Sequence, residues 1–399
     1  MRLNRHHELF RASARAVLER VFLPGLDGWE NAGLMPTHEI CRALGEEGLL
    51  GLTLPLDDEG GGLGLDLGYS WVWAQELGRL PAGSPAMSLS VQTDIVLPLL
   101  AETGGERVRT EFLRPAVRGE LVAALAATEP GGGSDLAALR TTAVRTADGL
   151  RLTGDKAYIT NGSVADFAVV LCHLVEGDGA GDEEGGGERE RGATGLDTLA
   201  LLLVPTGLPG VRRERHTGKL GNRACDHGSL SFTDVRVPEE NLLSKPGSGY
   251  EALTRVFTRE RAFLAAVATA RTETALRETV EHARGRAVLG RSLLDHQAIA
   301  FRLAELDAEL ALVEQYTGTV FQLLDEGAPA LRQASIAKLR ASRLERESAD
   351  LRLQLHGGGG YLEGGPVERA YRDARASALA GGADEALLHL IAGHLRTDL

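Results

Sequence analysis

At 399 residues the chain exceeds what one ordinary core supports and predicts on the order of two or three domains. A formal net charge of -13 excludes a general nucleic-acid binder, which needs a basic footprint, and no apolar run reaches the roughly 18 residues of a membrane span. Cys41, Cys172 and Cys225 are scattered without a paired motif, so buried free thiols are expected, with no disulfide framework, no metal site and a cytoplasmic setting.

The start, Met1 to Arg20, carries Glu8 and Glu19 and reads as an amphipathic helix, not a transit peptide. Residues 1–120 are predicted as a helical domain from apolar periodicity through Leu9, Phe10, Ala14, Val17 and Leu18, then over 38–49, 69–77 and 88–100. The glycine-rich interruption at 57–64 has no strand before it and no Lys-Ser or Lys-Thr after it, so it is expected to be a surface turn and not a phosphate loop. From 121 to 244 the pattern changes to short β-rich runs at 121–127, 141–145, 150–152, 157–160, 167–174, 199–204 and 230–237, which predict a small antiparallel β-domain. Within it, residues 176–192 hold seven acids against Arg189 and Arg191, and seven of these 17 residues are glycine. That composition predicts a flexible, solvated loop at the tip of a hairpin. From 245 to 399 long helical periodicities return at 250–284, 295–324, 329–355 and 384–395, and predict a bundle. The expected fold class is α+β.

One helix carries a chemically unusual residue. Glu260 shares a helical face with Val256, Phe257, Phe263 and Leu264, and a carboxylate desolvated in this way has its pKa pushed up and becomes able to accept a proton from carbon. The structural alternative is an ion pair with Arg259 or Arg261, which start about 100° away round the helix but could curl back.

Three glycine-rich stretches could approach a ligand closely. The first, Thr128-Glu129-Pro130-Gly131-Gly132-Gly133-Ser134-Asp135, offers bare amides and hydroxyls suited to a flavin edge or a pyrophosphate, or is a plain turn. In the second, Gly154 to Gly162, Tyr158 and Thr160 stand two apart on one face of a strand, where they could stack on and hydrogen-bond a flat heterocycle, or form an ordinary hairpin arm. The third, Gln354-Leu355-His356-Gly357-Gly358-Gly359-Gly360-Tyr361, closes a long helix with more glycines than one cap requires.

In this order and spacing the three stretches resemble the acyl-CoA dehydrogenase family, most like its long-chain and isovaleryl branch, and the likeness covers almost the whole chain. Further matches are Arg286-Ala287-Val288-Leu289-Gly290 with His296-Gln297, the run Phe232 to Pro238, and Pro366 to Arg375. The resemblance implies an N-terminal helical domain, a middle β-domain, a C-terminal four-helix bundle, FAD between the last two, and a homotetramer or homodimer. It implies that Thr128, Gly133, Ser134, Tyr158 and Thr160 meet the flavin, with Tyr158 in place of the family's usual Trp. Arg286, His296, Gln297, Gln354, Gly357, Gly358 and Glu385 would hold the rest of FAD, the larger part across a subunit interface. Ser134, Arg261 and Gly382 would lie near the substrate. Many members carry their base where this chain has Gly381, whereas the long-chain and isovaleryl branch carries it at the position of Glu260. Ala383 and Leu289 depart from a Thr and a Phe that meet FAD in relatives. The activity implied is α,β-dehydrogenation of an acyl thioester, on CoA or an acyl-carrier protein, in fatty acid metabolism, with an electron-transferring flavoprotein as acceptor. The alternatives are a flavin monooxygenase on the same fold, or a non-catalytic helical interaction protein.

The loop at 176–192 has too little apolar surface to order itself. Replacing it with a short turn should leave FAD content and melting temperature nearly unchanged, and a large loss of either would show that the loop packs or docks.

Overall fold

The computed structural model describes residues 1–56, 61–177, 195–245 and 247–397. Half of the predicted turn at 57–64 and most of the predicted acidic loop at 176–192 therefore lie outside the described residues.

The N-terminal part is helical: α1 (Arg5–Phe22), α2 (Leu26–Ala32), α3 (Thr37–Glu46), α4 (Leu67–Gly78), α5 (Ser84–Ser90), a π-helical turn Val91–Val96, α6 (Leu97–Thr103), α7 (Glu106–Val108) and α8 (Arg114–Val117). The caps explain where the two long helices begin. The Asn4 side chain accepts from the His6 and His7 amides, and His7 Nδ1 accepts from the Asn4 amide at 3.0 Å. This leaves the proton on His7 Nε2, which donates to Asp66 Oδ1 at 2.9 Å, while Asp66 caps α4 by accepting from the Gly68 amide. The starts of α1 and α4 are thereby locked to one another. At the other end of α4 the buried Glu76 receives Arg11 and Arg15 of α1, and Arg79.

A seven-stranded sheet follows: β1 (Ala123–Ala126), β2 (Thr142–Thr146), β3 (Gly149–Thr160), β4 (Phe167–Glu176), β5 (Leu199–Pro205), β6 (Val211–Arg215) and β7 (His227–Val237). The two runs expected at 150–152 and 157–160 are one strand, β3, interrupted by register shifts between Leu152 and Gly154 and between Lys156 and Ile159. The sheet is mixed. Its β2–β3, β3–β7, β4–β5 and β6–β7 pairings are antiparallel, but β1 and β2 both run parallel to β4. The cause is that β1 and β2 are one interrupted edge: the chain runs beside the first half of β4, leaves over residues 127–141, and rejoins beside its second half in the same direction. The antiparallel β4–β5 pair flanks the acidic stretch, as a hairpin there requires.

β4 and β5 are buried on both faces. Phe167, Val169 and Leu171 of β4, with Leu199, Leu201 and Leu203 of β5, join the helical core, while the alternating residues Ala168, Val170, Cys172, Ala200, Leu202 and Val204 form a second core within the sheet. The three cysteines are buried free thiols, each pushed up to about 12 by burial.

The C-terminal part opens with α9 (Ser248–Gly285), 38 residues and therefore about 57 Å long. A small hairpin, β8 (Ala287–Val288) and β9 (Arg291–Ser292), leads to α10 (Gln297–Asp325), α11 (Leu331–His356), α12 (Pro366–Ser377) and α13 (Asp384–Thr397). α9 packs on α11 and α10, and also on α4 and β5, so one helix touches all three layers.

A buried ion pair joins the loop at 128–135 to β3. Lys156 is fully buried, and its Nζ donates to Glu129 Oε1 at 2.9 Å. The Glu129 carboxylate also accepts from the Thr141 hydroxyl and from the Arg140 and Thr141 amides. Burial works against the Glu129 charge, but the Thr141 hydroxyl and the Lys156 ammonium hold its carboxyl below the usual range. Next to this pair, Thr128 Oγ1 donates to the Ala157 carbonyl at 2.5 Å and the Ala157 amide to the Thr128 carbonyl at 3.0 Å. Glu129→Ala strands the Lys156 ammonium in the interior and should lower unfolding stability by about 3–5 kcal/mol in denaturant titrations. Adding Lys156→Met should recover part of the loss, and an unchanged midpoint in the single variant would show that the pair is not desolvated.

Candidate active site

Glu260 lies on the inner face of α9 with 8% of its surface exposed. Among the described residues it makes no hydrogen bond or ion pair. Both neighbouring arginines are engaged elsewhere: Arg259 Nε donates to Asp94 Oδ1 at 3.4 Å and its Nη2 to Thr53 Oγ1, while Arg261 Nε donates to the Gly381 carbonyl at 3.2 Å. The ion pair considered as an alternative therefore does not form. Burial pushes the Glu260 carboxyl up to about 7; the charges of Arg261 and Lys338 pull against the rise and Asp94 adds to it.

Asp94 is itself buried, in the π-helical turn between α5 and α6. It accepts from Ser70 Oγ at 2.9 Å and Thr93 Oγ1 at 2.7 Å, and burial raises its pKa despite Arg259. Lys338, on the inner face of α11, donates to the Gly382 carbonyl at 2.7 Å and is lowered to about 8 by burial. Sequence reading passed over Lys338 and Asp94. The signal for Lys338 is the one that exposed Glu260, since it interrupts a buried stripe of small residues, Ala334, Ala337 and Ala341.

Arg261 and Lys338 together hold the turn between α12 and α13 by two successive carbonyls. Gly381 (φ +65°) and Gly382 (φ +101°) occupy backbone conformations that other residues resist. A Cβ on Gly381 would lie 2.4 Å from Leu264 Cδ1, which belongs to the helical turn after Glu260. Gly381 and Glu260 thus address neighbouring parts of one space, and Gly382 and Arg261 border it. Glu385 is exposed in the first turn of α13.

The first and second glycine stretches are brought together by the Thr128–Ala157 bonds. Glu129 and Gly132 close a tight turn, beyond which Gly131, Gly133 and Ser134 are exposed, and a Cβ on Gly131 or Gly132 would meet nothing within 4 Å. Tyr158 is 69% exposed at φ +60°, within the bulge of β3, and its ring meets His216 edge-on at 5.6 Å. The bulge breaks the strict alternation expected for Tyr158 and Thr160, yet both remain accessible. Thr160 Oγ1 lies 3.3 Å from His227 Nε2. His227 is lowered to about 4, by burial first and by Lys219 second, and is neutral. His227 Nδ1 stands 3.3 Å from Lys219 Nζ, a donor, and 3.5 Å from the Cys225 carbonyl, an acceptor. Thr160 Oγ1 pairs with His227 and stays accessible to a ligand.

The remaining expected cofactor residues gather at the far end of the bundle. His282 of α9 stacks on His356 of α11 at 3.8 Å, and its Nε2 donates to the Leu355 carbonyl, which ties the end of α9, before Arg286, to the end of α11, where Gln354, Gly357 and Gly358 lie. His296 Nε2 donates to the Val288 carbonyl and fixes the hairpin that precedes Gln297. Arg286, Gln297, Gln354, Gly357 and Gly358 are exposed, as is Leu289 at 91%. This group begins about 39 Å along the helix axis from Glu260. Among the described residues no His, Cys, Asp or Glu cluster could hold a metal ion, and no helix is long and apolar enough to cross a membrane.

Three family models match the chain in order: acyl-CoA dehydrogenase N-terminal domain over residues 4–120, middle domain over 124–235 and C-terminal domain over 247–395. The long-chain specific acyl-CoA dehydrogenase, mitochondrial, of Rattus norvegicus is 32% identical over 392 residues, which is 98% of this chain and 87% of that protein. The short-chain specific enzyme of Mus musculus is 32% identical over 390 residues, covering 98% and 90%. Among solved structures, an acyl-CoA dehydrogenase from Geobacillus kaustophilus superposes with a TM-score of 0.90 at 34% identity, covering 98% of both chains. On this evidence the chain belongs to the acyl-CoA dehydrogenase family.

Proposed function

We propose that the protein dehydrogenates the Cα–Cβ bond of an acyl thioester, with Glu260 as the base that removes the α-proton. The observation that carries this reading is a carboxylate raised to about 7, buried and without a fixed partner. A base poised near neutral pH combines a useful ionised fraction with real proton affinity. Arg259, turned to Asp94, leaves that carboxylate unneutralised, and Arg261 and Lys338 fix the turn opposite it.

The cofactor of the family is FAD, and the residues here fit it. The exposed backbone of Gly131 to Gly133, the accessible Tyr158 ring and the Thr160 hydroxyl form one surface suited to a flat heterocycle. When bound, FAD supplies a two-electron acceptor for the β-hydride. Thr128 and Ser134 edge that surface, and α9 presents Glu260 from the bundle side. The residues thereby orient the Cα–Cβ bond and keep water from the proton being moved. We assign Arg286, His296, Gln297, Gln354, Gly357 and Gly358 to the FAD of a neighbouring subunit in a homotetramer, because about 39 Å of helix separates them from Glu260.

Glu260→Gln should keep the fold and the yellow colour, yet slow flavin reduction by substrate at least the ~10²–10⁴-fold that general base catalysis contributes. A variant that reduces its flavin at the wild-type rate removes Glu260 from the mechanism. Partial recovery of the rate in Glu260→Gln with Gly381→Glu would mean that both positions face the same substrate carbon, with Leu264 displaced by the new side chain.

The free-enzyme kcat/KM should rise with pH and level off above about 7, as Glu260 ionises. Stability should move the other way. The Glu260 pKa is raised from 4.5 to about 7, so the folded state binds this proton more tightly than the unfolded state does. The wild type therefore loses about 3 kcal/mol between pH 4.5 and 8 that Glu260→Gln retains. Melting curves of the two proteins should diverge over that interval, and parallel curves would mean that Glu260 is solvated.

Arg286→Ala should release FAD and weaken the assembly together. Undiminished flavin affinity in a monomer made by dilution would show that each chain holds its own cofactor.

A further inference from the structure

Past Glu260 the same face of α9 continues through Leu264, Val267 and Arg271, at four, seven and eleven residues on. These residues wall a cleft that opens to solvent and is closed on other sides by Met87 of α5, by Asn222, and by Lys338 and Glu345 of α11. Its near end adjoins the site already described: Leu264 is the residue that a Cβ on Gly381 would strike, and Lys338 bears electrostatically on Glu260. Its far end is different in kind. Glu345 is 3% exposed and Asn222 2%. Arg271 Nη1 donates to Glu345 Oε1 at 3.2 Å, but among the described residues Glu345 Oε2 has no partner, and the Ser377 hydroxyl beside it donates instead to the Ala374 carbonyl. Asn222 Oδ1 also has no partner, although the amide of Asn222 is tied to Asp373 Oδ1 at 2.6 Å.

Each unsatisfied buried acceptor costs about 1–3 kcal/mol, and here two border one cavity that Arg271, Lys338, Ser342, Asp373 and Ser377 also line. An all-alkyl occupant would leave both unpaired. A cationic occupant would approach Arg271 and Lys338.

We propose that this cavity is the distal end of the acyl site and that it selects an acyl group ending in a neutral hydrogen-bond donor, a hydroxyl, whose one proton is received by Glu345 Oε2 beside Asn222 Oδ1. The proposal rests on the reading of Glu260 as the base, because that reading makes the space beside it the acyl site. The Leu264, Val267 and Met87 walls hold the chain, and Glu345 and Asn222 discriminate at its tip. A site built around a hydroxyl rejects the analogue that lacks it more strongly than an apolar pocket rejects an extra methylene.

The test is calorimetric titration of the FAD-loaded protein with S-alkyl-CoA thioethers of increasing length, ending in either methyl or hydroxyl. These ligands lack the carbonyl that acidifies the α-proton, so binding is read apart from chemistry. At the length that reaches Glu345, the hydroxyl ligand should bind at least about tenfold more tightly than its methyl counterpart. Glu345→Met alone strands Arg271, so the fold-preserving variant is Arg271→Met with Glu345→Met, and it should abolish the preference. Equal affinities at every length in the wild type would overturn the proposal by showing that water satisfies the acceptors, and so would a preference that survives the double variant. Flavin reduction by the corresponding acyl-CoA pair separates the two readings. A hydroxyl preference in binding without reduction condemns Glu260 as base and leaves the cavity standing, whereas reduction with no preference condemns the cavity alone.

Discussion

A single carboxylate without a counter-ion in the interior of a helical bundle is the constraint on which the rest of this structure depends. Desolvation alone would neutralise Glu260, and a close cation would make it an inert ion pair. Neither extreme holds, because Arg259 is drawn away by Asp94 and Thr53, and Arg261 and Lys338 are spent on the carbonyls of Gly381 and Gly382. The cations act on Glu260 through space without touching it. The result is a group near pH 7 in a position that burial would otherwise silence.

The same economy appears in the sheet. Lys156 would be intolerable at full burial without Glu129, and the pair is fixed by the Thr141 hydroxyl and two amides, so the loop at 128–135 is anchored at its start while Gly131 to Ser134 stay open. On the next strand, His227, held between Lys219 and Thr160, fixes the position of the Thr160 hydroxyl. In both cases a buried polar contact behind the surface determines what the surface can donate.

Much of this was legible in the sequence where one physical signal dominated. The 3.6-residue period marked α9 and the carboxylate on its apolar stripe, and β4 stood out as an unbroken apolar run. Legibility failed where competing signals cancelled. β6, Val-Arg-Arg-Glu-Arg, is a charged edge strand and shows no alternation, while α12 is dense in charge with only Val367 and Ala374 as buried apolar residues. β3 read as two pieces because its bulge shifts the period. The parallel direction of β1 and β2 depends on a loop that leaves the sheet and returns, which no local pattern encodes. Lys338 was missed because it lies among small residues in a helix otherwise rich in charge.

The stripe that carries Glu260 and walls the cavity beyond it is also part of the central core, where Val256, Phe263 and Val267 pack with α4, α10 and α11. Residues that would set the length and shape of the acyl group are thus the residues that hold the bundle together. A loop-built pocket can drift in specificity by small surface changes; this one can change only by repacking, with overfilling and cavities each destabilising by roughly 1–5 kcal/mol. Evolution of a new substrate preference on this scaffold is therefore confined to substitutions that conserve volume or exchange polarity in place, such as those at the Arg271 and Glu345 positions, and a lineage must hold stability in reserve before it can broaden its range.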